Sequence, residues 1–215
     1  MAGVATGALV LGAPGCGGDA GAAKHALAHA SDRLARLRSG DVAFSLQIEP
    51  VGPGPDVQVQ GRGSFAAPRP GVAPRLVVYT NDNGTTTRTV TRAGAPLRRL
   101  RLDEWVNDPQ LVRGGLKTDH VHGRLAADTA LEDISAFAEP LFAGLLADDA
   151  PSLASAVRSG SVDVWIDRRD PLVRRMLITA DVGLDVPEGV AAALGRPLGA
   201  ALRLELELRP RENHA

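Results

Sequence analysis

The chain has 215 residues, 44% of them apolar and 23% charged, a balance that predicts one folded domain and excludes wholesale disorder. Twenty-four basic against 25 acidic residues leave a net charge of -1, so no global field draws the chain to phosphate backbones. Aromatic residues make up only 3%, too few for the stacking platforms of single-strand binders, so nucleic acid is not an expected partner and any core or pocket must be aliphatic.

No stretch of the sequence reaches the roughly 20 apolar residues of a transmembrane helix. Val4 to Ala13 is an apolar run of signal-peptide length, followed by Pro14-Gly15-Cys16-Gly17-Gly18-Asp19. An apolar run, small residues and then cysteine resemble the lipobox of a bacterial lipoprotein. The resemblance implies that residues 1–15 are a signal peptide and that Cys16 is the lipid anchor. A Gly-rich tail with an incidental thiol accounts for the same letters. Cys16 is the only cysteine, so no internal disulfide is possible and the fold must stand on packing.

Residues 17–22 read as a linker, 23–212 as one domain and 213–215 as a tail. The spacing of Leu27, Ala30, Leu34 and Leu37 predicts a helix from about Ala22 to Arg38, ended by Gly40. Alternation then takes over. Val42, Phe44, Leu46 and Ile48 share one face of a strand, and after a turn at Pro50 to Pro55 a second strand returns through Val57 and Val59. Leu76 to Thr80 and Thr85 to Thr91 flank Asn83-Gly84, a strong hairpin signal. Further strands are expected at Leu97 to Leu102 and near His120 to Leu125.

Helical period returns at Thr129, where Thr129 and Glu132 have capping-box spacing. Leu131, Ile134, Phe137, Leu141 and Leu145 form the stripe, and Pro140 is expected to kink or divide the helix. Ser152 to Ser159 reads as a short helix ended by Gly160, and Pro187 to Leu194 as a short helical connection. Three strands complete the chain: Val162 to Asp167, Leu172 to Val182 and Leu202 to Arg209. In the last, Leu202, Leu204, Leu206 and Leu208 alternate with Arg203, Glu205, Glu207 and Arg209. This order lacks the regular βαβ rhythm of a parallel sheet. It predicts an α+β fold, an antiparallel sheet wet on one face and covered on the other.

The whole pattern resembles the LppX/LprA/LprF/LprG lipoprotein family over about Cys16 to Glu212. The most specific segments are Ser161 to Val182 (SVDVWIDRRDPLVRRMLITADV) and Leu116 to Ile134 (LKTDHVHGRLAADTALEDI), with Glu104-Trp105-Val106 between helix and insertion. The resemblance implies a LolA-like fold, a curved, half-open antiparallel β-barrel with helices packed on its concave face. It also implies a non-enzymatic binder of lipid, glycolipid or acylated molecules on the extracytoplasmic face of the cell membrane. Its partners would be the lipid, the membrane through lipidated Cys16, and a membrane transporter. The pocket lining it implies is Val162, Val164, Ile166, Met176 and Ile178 on the strands, with Ile134, Phe137, Leu141 and Leu145 on the inserted helix opposite. A filled core explains the same apolar rows, and gives an envelope sensor or scaffold module instead.

No cofactor and no metal are expected. His120 and His122 lie two apart on one strand face, a chelating spacing that wants a third ligand, while Asp119 points the other way. His25 and His29 are four apart on the first helix without an acidic neighbour. Asp167, Arg168, Arg169 and Asp170 precede Pro171 and read as a solvated turn with local ion pairs. No Gly-x-Ser-x-Gly elbow or phosphate loop is present.

Overall fold

The strands occur in one continuous antiparallel ladder. The structure, a computed structural model, describes residues 17–52, 56–69, 71–82, 85–92, 97, 100–112, 117–142, 154–183 and 199–211. In chain order these form α1 (Gly17–Arg36), β1 (Ser39–Pro50), β2 (Val57–Ala66), β3 (Arg75–Asp82), β4 (Thr85–Arg92), α2 (Leu102–Trp105), β5 (Val106–Val112) and β6 (Thr118–Leu125). Then follow α3 (Ala127–Phe142), β7 (Val157–Asp167), β8 (Val173–Val182) and β9 (Ala200–Pro210).

Among the described residues the sheet has nine strands in the order β4-β3-β2-β1-β9-β8-β7-β6-β5. The last strand in sequence thus sits at its centre, joining β1 to β8. Among the described residues the two edge strands, β4 and β5, do not pair with each other, so the barrel is half-open. Its helices lie on the concave face: α1 packs chiefly on edge strand β5, α3 packs on the opposite edge strand β4, and α2 touches both helices. The helix layer therefore bridges the two edges that hydrogen bonds leave apart.

Burial follows the alternation. Leu27, Ala30 and Leu34 of α1 are sealed together with Val121, Val162, Val164 and Ile166 of the neighbouring strands. Fully burying side chains of this size contributes about 1.5–3 kcal/mol each. Two glycines shape the sheet by close approach. A Cβ on Gly61 would meet the Phe44 ring from the paired strand at 2.3 Å, so the ring lies across bare backbone. A Cβ on Gly123 would meet Val106 at 2.4 Å and the Asn107 carbonyl at 2.7 Å, which lets β5 bulge toward β6. At that bulge Asp108 takes φ 50°, a left-handed conformation open to a short polar residue, and it pairs with Arg124.

Several expectations change. The helix α1 begins at Gly17, so the residues read as a linker are helical, and it ends at Arg36. Leu97 to Leu102 is not a strand. The Leu100 N–H bonds back to the Leu97 carbonyl, and Leu102 opens the helical turn that buries Leu102 and Trp105. Its leucines at 97, 100 and 102 are spaced three and then two apart, so the segment has no strict two-residue period, and tertiary partners on α1 and α3 hold its end as a helical turn. The strand β5 was not legible, because Asn107-Asp108-Pro109 interrupts its apolar pattern at the bulge.

Helix α3 begins at Ala127, with Ala126 accepting from the Ala130 N–H, so Thr129 sits inside the first turn and does not cap it. The helix runs through Pro140 to Phe142 rather than dividing there. Ser152 to Ser159 is not one helix, since β7 starts at Val157 and pairs Val157 with Val182 and Ser159 with Asp181. Adjacent β8 pulls those residues into the ladder, and Gly160 falls within the strand. The turn at Asn83-Gly84 and the connection at Pro187 to Leu194 lie outside the described residues. Even so, Asp82 pairs with Thr85 across that turn.

Candidate functional site

One face of the sheet is apolar without interruption from β7 to β2. Registered pairs carry it strand by strand: Val162 with Ile178 and Val164 with Met176, then Ile178 with Leu204 and Met176 with Leu206. Across the centre, Leu206 meets Phe44, Leu204 meets Leu46 and Leu202 meets Ile48. Beyond them Leu46 meets Val59 and Ile48 meets Val57. The period of two turns each intervening polar residue of these strands to the other side, so among their described residues no hydrogen-bonding side chain lies on this face.

Exposure divides the face in two. Val162 and Val164 are 0% exposed, Ile166 2%, Met176 6% and Ile178 4%. These five strand positions, expected to line a pocket, are brought onto one face but are sealed into the core beside α1. Phe44, Leu46, Ile48, Leu202, Leu204 and Leu206 on β1 and β9 remain partly open. Their alternation was visible in the sequence; what it lacked was any sign of where the helices stop covering the sheet.

On the helical side, Ile134 is partly buried and packs against the core. Phe137 and Leu141 belong to α3, but their side chains are outside the described part of the structure, and Leu145 and Cys16 lie outside the described residues altogether. Among the described side chains of α3, the buried ones are Ala130 and Asp133. Asp133 is the one buried charged side chain among the described residues, 5% exposed. One oxygen accepts from the Trp105 indole at 2.8 Å and from the Arg101 backbone N–H at 2.8 Å. The other accepts from the Arg101 guanidinium at 2.8 and 3.2 Å, which raises that guanidinium's pKa. Leu102 N–H in turn donates to Ser31 of α1 at 3.0 Å, so one polar cluster fastens all three helices.

The opposite face carries the polar chemistry. Asp163 on β7 supplies the acidic neighbour that the histidine pair lacked in sequence: its Oδ1 lies 2.7 Å from His120 Nε2 and 3.0 Å from His122 Nδ1. His120 also stacks on Trp165 at 4.6 Å, with Arg175 over the far ring at 4.8 Å. These donors are engaged with each other, and among the described residues no group of three His, Cys, Asp or Glu is arranged to hold a metal ion. His25 and His29 contact ring to ring at 4.0 Å on the exposed side of α1. Ser159 donates to Asp181 at 2.6 Å and Ser161 shares a hydrogen bond with Thr179 at 2.8 Å, an arrangement without a histidine base. A depression of about 470 Å³ lies over these residues, lined also by Gln47, Glu49 and Arg203, so it opens on the polar face and not behind the helices.

The turn from β7 to β8 is held by a local ion pair, Arg174 donating to Asp167 at 2.9 Å, and by tertiary ones. Arg33 of α1 donates to both oxygens of Asp170 at 2.6 and 2.9 Å, and Arg168 reaches Asp119 at 2.7 Å. The Arg33 hydrogen bond holds the Asp170 carboxyl below its ordinary range. The Arg169 backbone N–H, then the Arg174 guanidinium, do the same for Asp167. Both groups favour the ionised form when folded, so their stabilisation is complete above the unfolded value near about 3.9 and is lost as pH falls through the folded values. Asp170→Asn is therefore expected to flatten the acid limb of the urea midpoint between neutral pH and about pH 2. At neutral pH the cost should be about 1 kcal/mol or less, as for a partly exposed pair. An unchanged acid limb would contradict the assignment.

No family model matches the chain, and no curated protein matches it. Among solved structures the chain is similar in arrangement to LprF from Mycobacterium bovis, at 15% identity over 89% of this chain and 93% of that one, with a TM-score of 0.41. It is also similar to the lipoprotein LppX from Mycobacterium tuberculosis, at 12% identity over 87% and 93%, with a TM-score of 0.39. A LolA superfamily protein from Nitrosomonas europaea follows at 10% identity over 88% and 94%, with a TM-score of 0.24. The family that the sequence resembles thus returns among the structural likenesses.

Proposed function

We propose that this protein is a membrane-tethered lipoprotein that binds the acyl chains of a lipid, glycolipid or acylated molecule against the concave face of its sheet and carries them in the cell envelope. The observation that supports this reading is the apolar face that runs without a polar side chain from the sealed β7–β8 region to the partly open rows of β9 and β1. Such a face takes up hydrocarbon without demanding a particular headgroup. At about 0.8 kcal/mol per buried methylene, an ordinary acyl chain would gain ample affinity from it. The open leucines, rather than the sealed valines, would meet the chain first. Phe137, Leu141 and Leu145 would cover it from the helical side, and Cys16 would carry the anchor. The cargo step needs no catalytic residue, so we read the protein as a carrier and not an enzyme, with a transporter as a further partner.

One observation favours the second reading, an envelope sensor or scaffold with a filled core: the five strand positions implied as lining are 0–6% exposed. A fluorescent fatty acid separates the two. Purified full-length protein should take it up saturably, and Cys16→Ala should leave the membrane fraction while keeping that uptake. Absence of saturable uptake in both forms would overturn the carrier reading. Retention of Cys16→Ala on membranes washed with high salt would overturn the anchor.

A further inference from the structure

The outer face of β2, β3 and the edge strand β4 concentrates charge that the composition as a whole does not. Registered pairs place Arg62 beside Tyr79 and Tyr79 beside Arg88, one row across three strands. In the next rows Ser64, Val77 and Val90 adjoin, and then Ala66, Arg75 and Arg92. The outward positions of these strands hold four arginines and no acidic residue, in a chain whose net charge is -1. Arg62, Arg75 and Arg88 are exposed and pair with no carboxylate among the described residues. Arg75 and Arg92 stand directly opposite each other. Between the arginines, Tyr79 is 43% exposed and Val90 39%.

This combination suits one kind of partner. Guanidinium groups such as those of Arg62, Arg75 and Arg88 bind phosphate oxygens in a fork, and Tyr with its apolar ring and polar tip sits well at headgroup depth. Val90 adds a small apolar contact at the same level. A single aromatic ring is a poor stacking platform for nucleic-acid bases, and a broad, flat lipid surface needs no shape match. We propose that the outer face of β2–β4 docks the protein on the anionic surface of a phospholipid membrane. The patch lies on the side of the sheet opposite the apolar face, so membrane contact and acyl-chain binding use different residues. The proposal stands on these strands and not on the acyl anchor.

The test uses the full chain carrying Cys16→Ala, which removes any lipid on the thiol, and sedimentation with vesicles of phosphatidylcholine alone or with about one-third phosphatidylglycerol. Binding is expected only to the anionic vesicles, and to fall steeply as salt rises and the screening length shrinks below about 10 Å. Arg62→Glu with Arg88→Glu should weaken it by about thirtyfold or more, since each arginine near an anionic surface contributes about fivefold. Arg209→Glu, on the outer face of β9, should leave it unchanged. Equal binding to neutral vesicles, no binding to anionic ones, or tighter binding to a single-stranded oligonucleotide than to vesicles would each overturn the proposal. Fatty-acid uptake on the same preparations keeps the two readings separate: failure of docking with uptake intact leaves the carrier standing.

Discussion

Asp133→Ala is expected to cost the fold about 2–5 kcal/mol, the largest stability loss of any single polar substitution among the described residues. The carboxylate is buried and serves three donors at once: the Trp105 indole, the Arg101 backbone N–H and the Arg101 guanidinium. Arg101 keeps partial access to water and can recover hydration. The indole is 1% exposed and cannot, so it is left as an unpaired buried donor. Each such group costs about 1–3 kcal/mol, and the truncation also leaves a small void. Because α2 is only four residues long, nothing within it can hold Trp105 once the acceptor is gone. Thermal unfolding should show a fall of roughly 5–15 °C, at about 2–4 °C per kcal/mol for a chain of this size. Asp133→Asn keeps one oxygen acceptor and should lose less. A shift under about 1 kcal/mol for Asp133→Ala would show that the three helices are held by apolar packing alone.

Leu204→Arg carries the largest expected effect on function. Leu204 lies on the apolar face at the centre of the sheet, with Leu46 on one side and Ile178 on the other. It is partly exposed, so the long side chain can reach water and the fold should survive. An acyl chain laid along the face would nonetheless meet a charge in place of hydrocarbon, and an isolated charge in apolar surroundings is expensive. Uptake of a fluorescent fatty acid should fall at least about tenfold, with circular dichroism unchanged. Ser45→Arg, whose side chain belongs to the other face of β1, is the matched control and should bind normally. Loss of binding in both, or in neither, would remove the inner face from the binding account.

The sequence made the sheet legible wherever water marks one side of a strand. Val42 to Ile48 and Leu202 to Leu208 alternate cleanly, and the structure sets them side by side at the centre of the ladder. Asn83-Gly84 foretold the pairing of β3 with β4. The stripe of Leu27, Ala30 and Leu34 foretold the buried face of α1. Failures came where a distant partner outweighs local pattern. Leu97 to Leu102 intersperses leucine with arginine, yet Ser31 and Asp133 draw Leu102 and Trp105 into a helical turn. The strand β5 hides behind a bulge at Asp108, and β7 captures residues that by themselves favour a helix.

The candidate site was half legible for the same reason. Parity placed the implied strand residues together on one face, because a two-residue period fixes sides. It could not say which of them α1 would seal, since that depends on where a helix far away in sequence comes to rest. Val162 and Val164 are therefore core, while Leu202, Leu204 and Leu206 keep the surface that a ligand could meet. The outer-face arginines were equally hidden, for Arg62, Arg75, Arg88 and Arg92 come together only through strand register.

The most direct measurement of the central claim is mass spectrometry of an organic extract from the purified, folded full-length protein, set against the Leu204→Arg variant prepared identically. The account predicts a lipid or acylated molecule in near-stoichiometric amount from the parent chain and its depletion from the variant. An extract without any bound acyl species, from protein that also fails to take up fatty acid, would contradict the carrier and leave the apolar face as core.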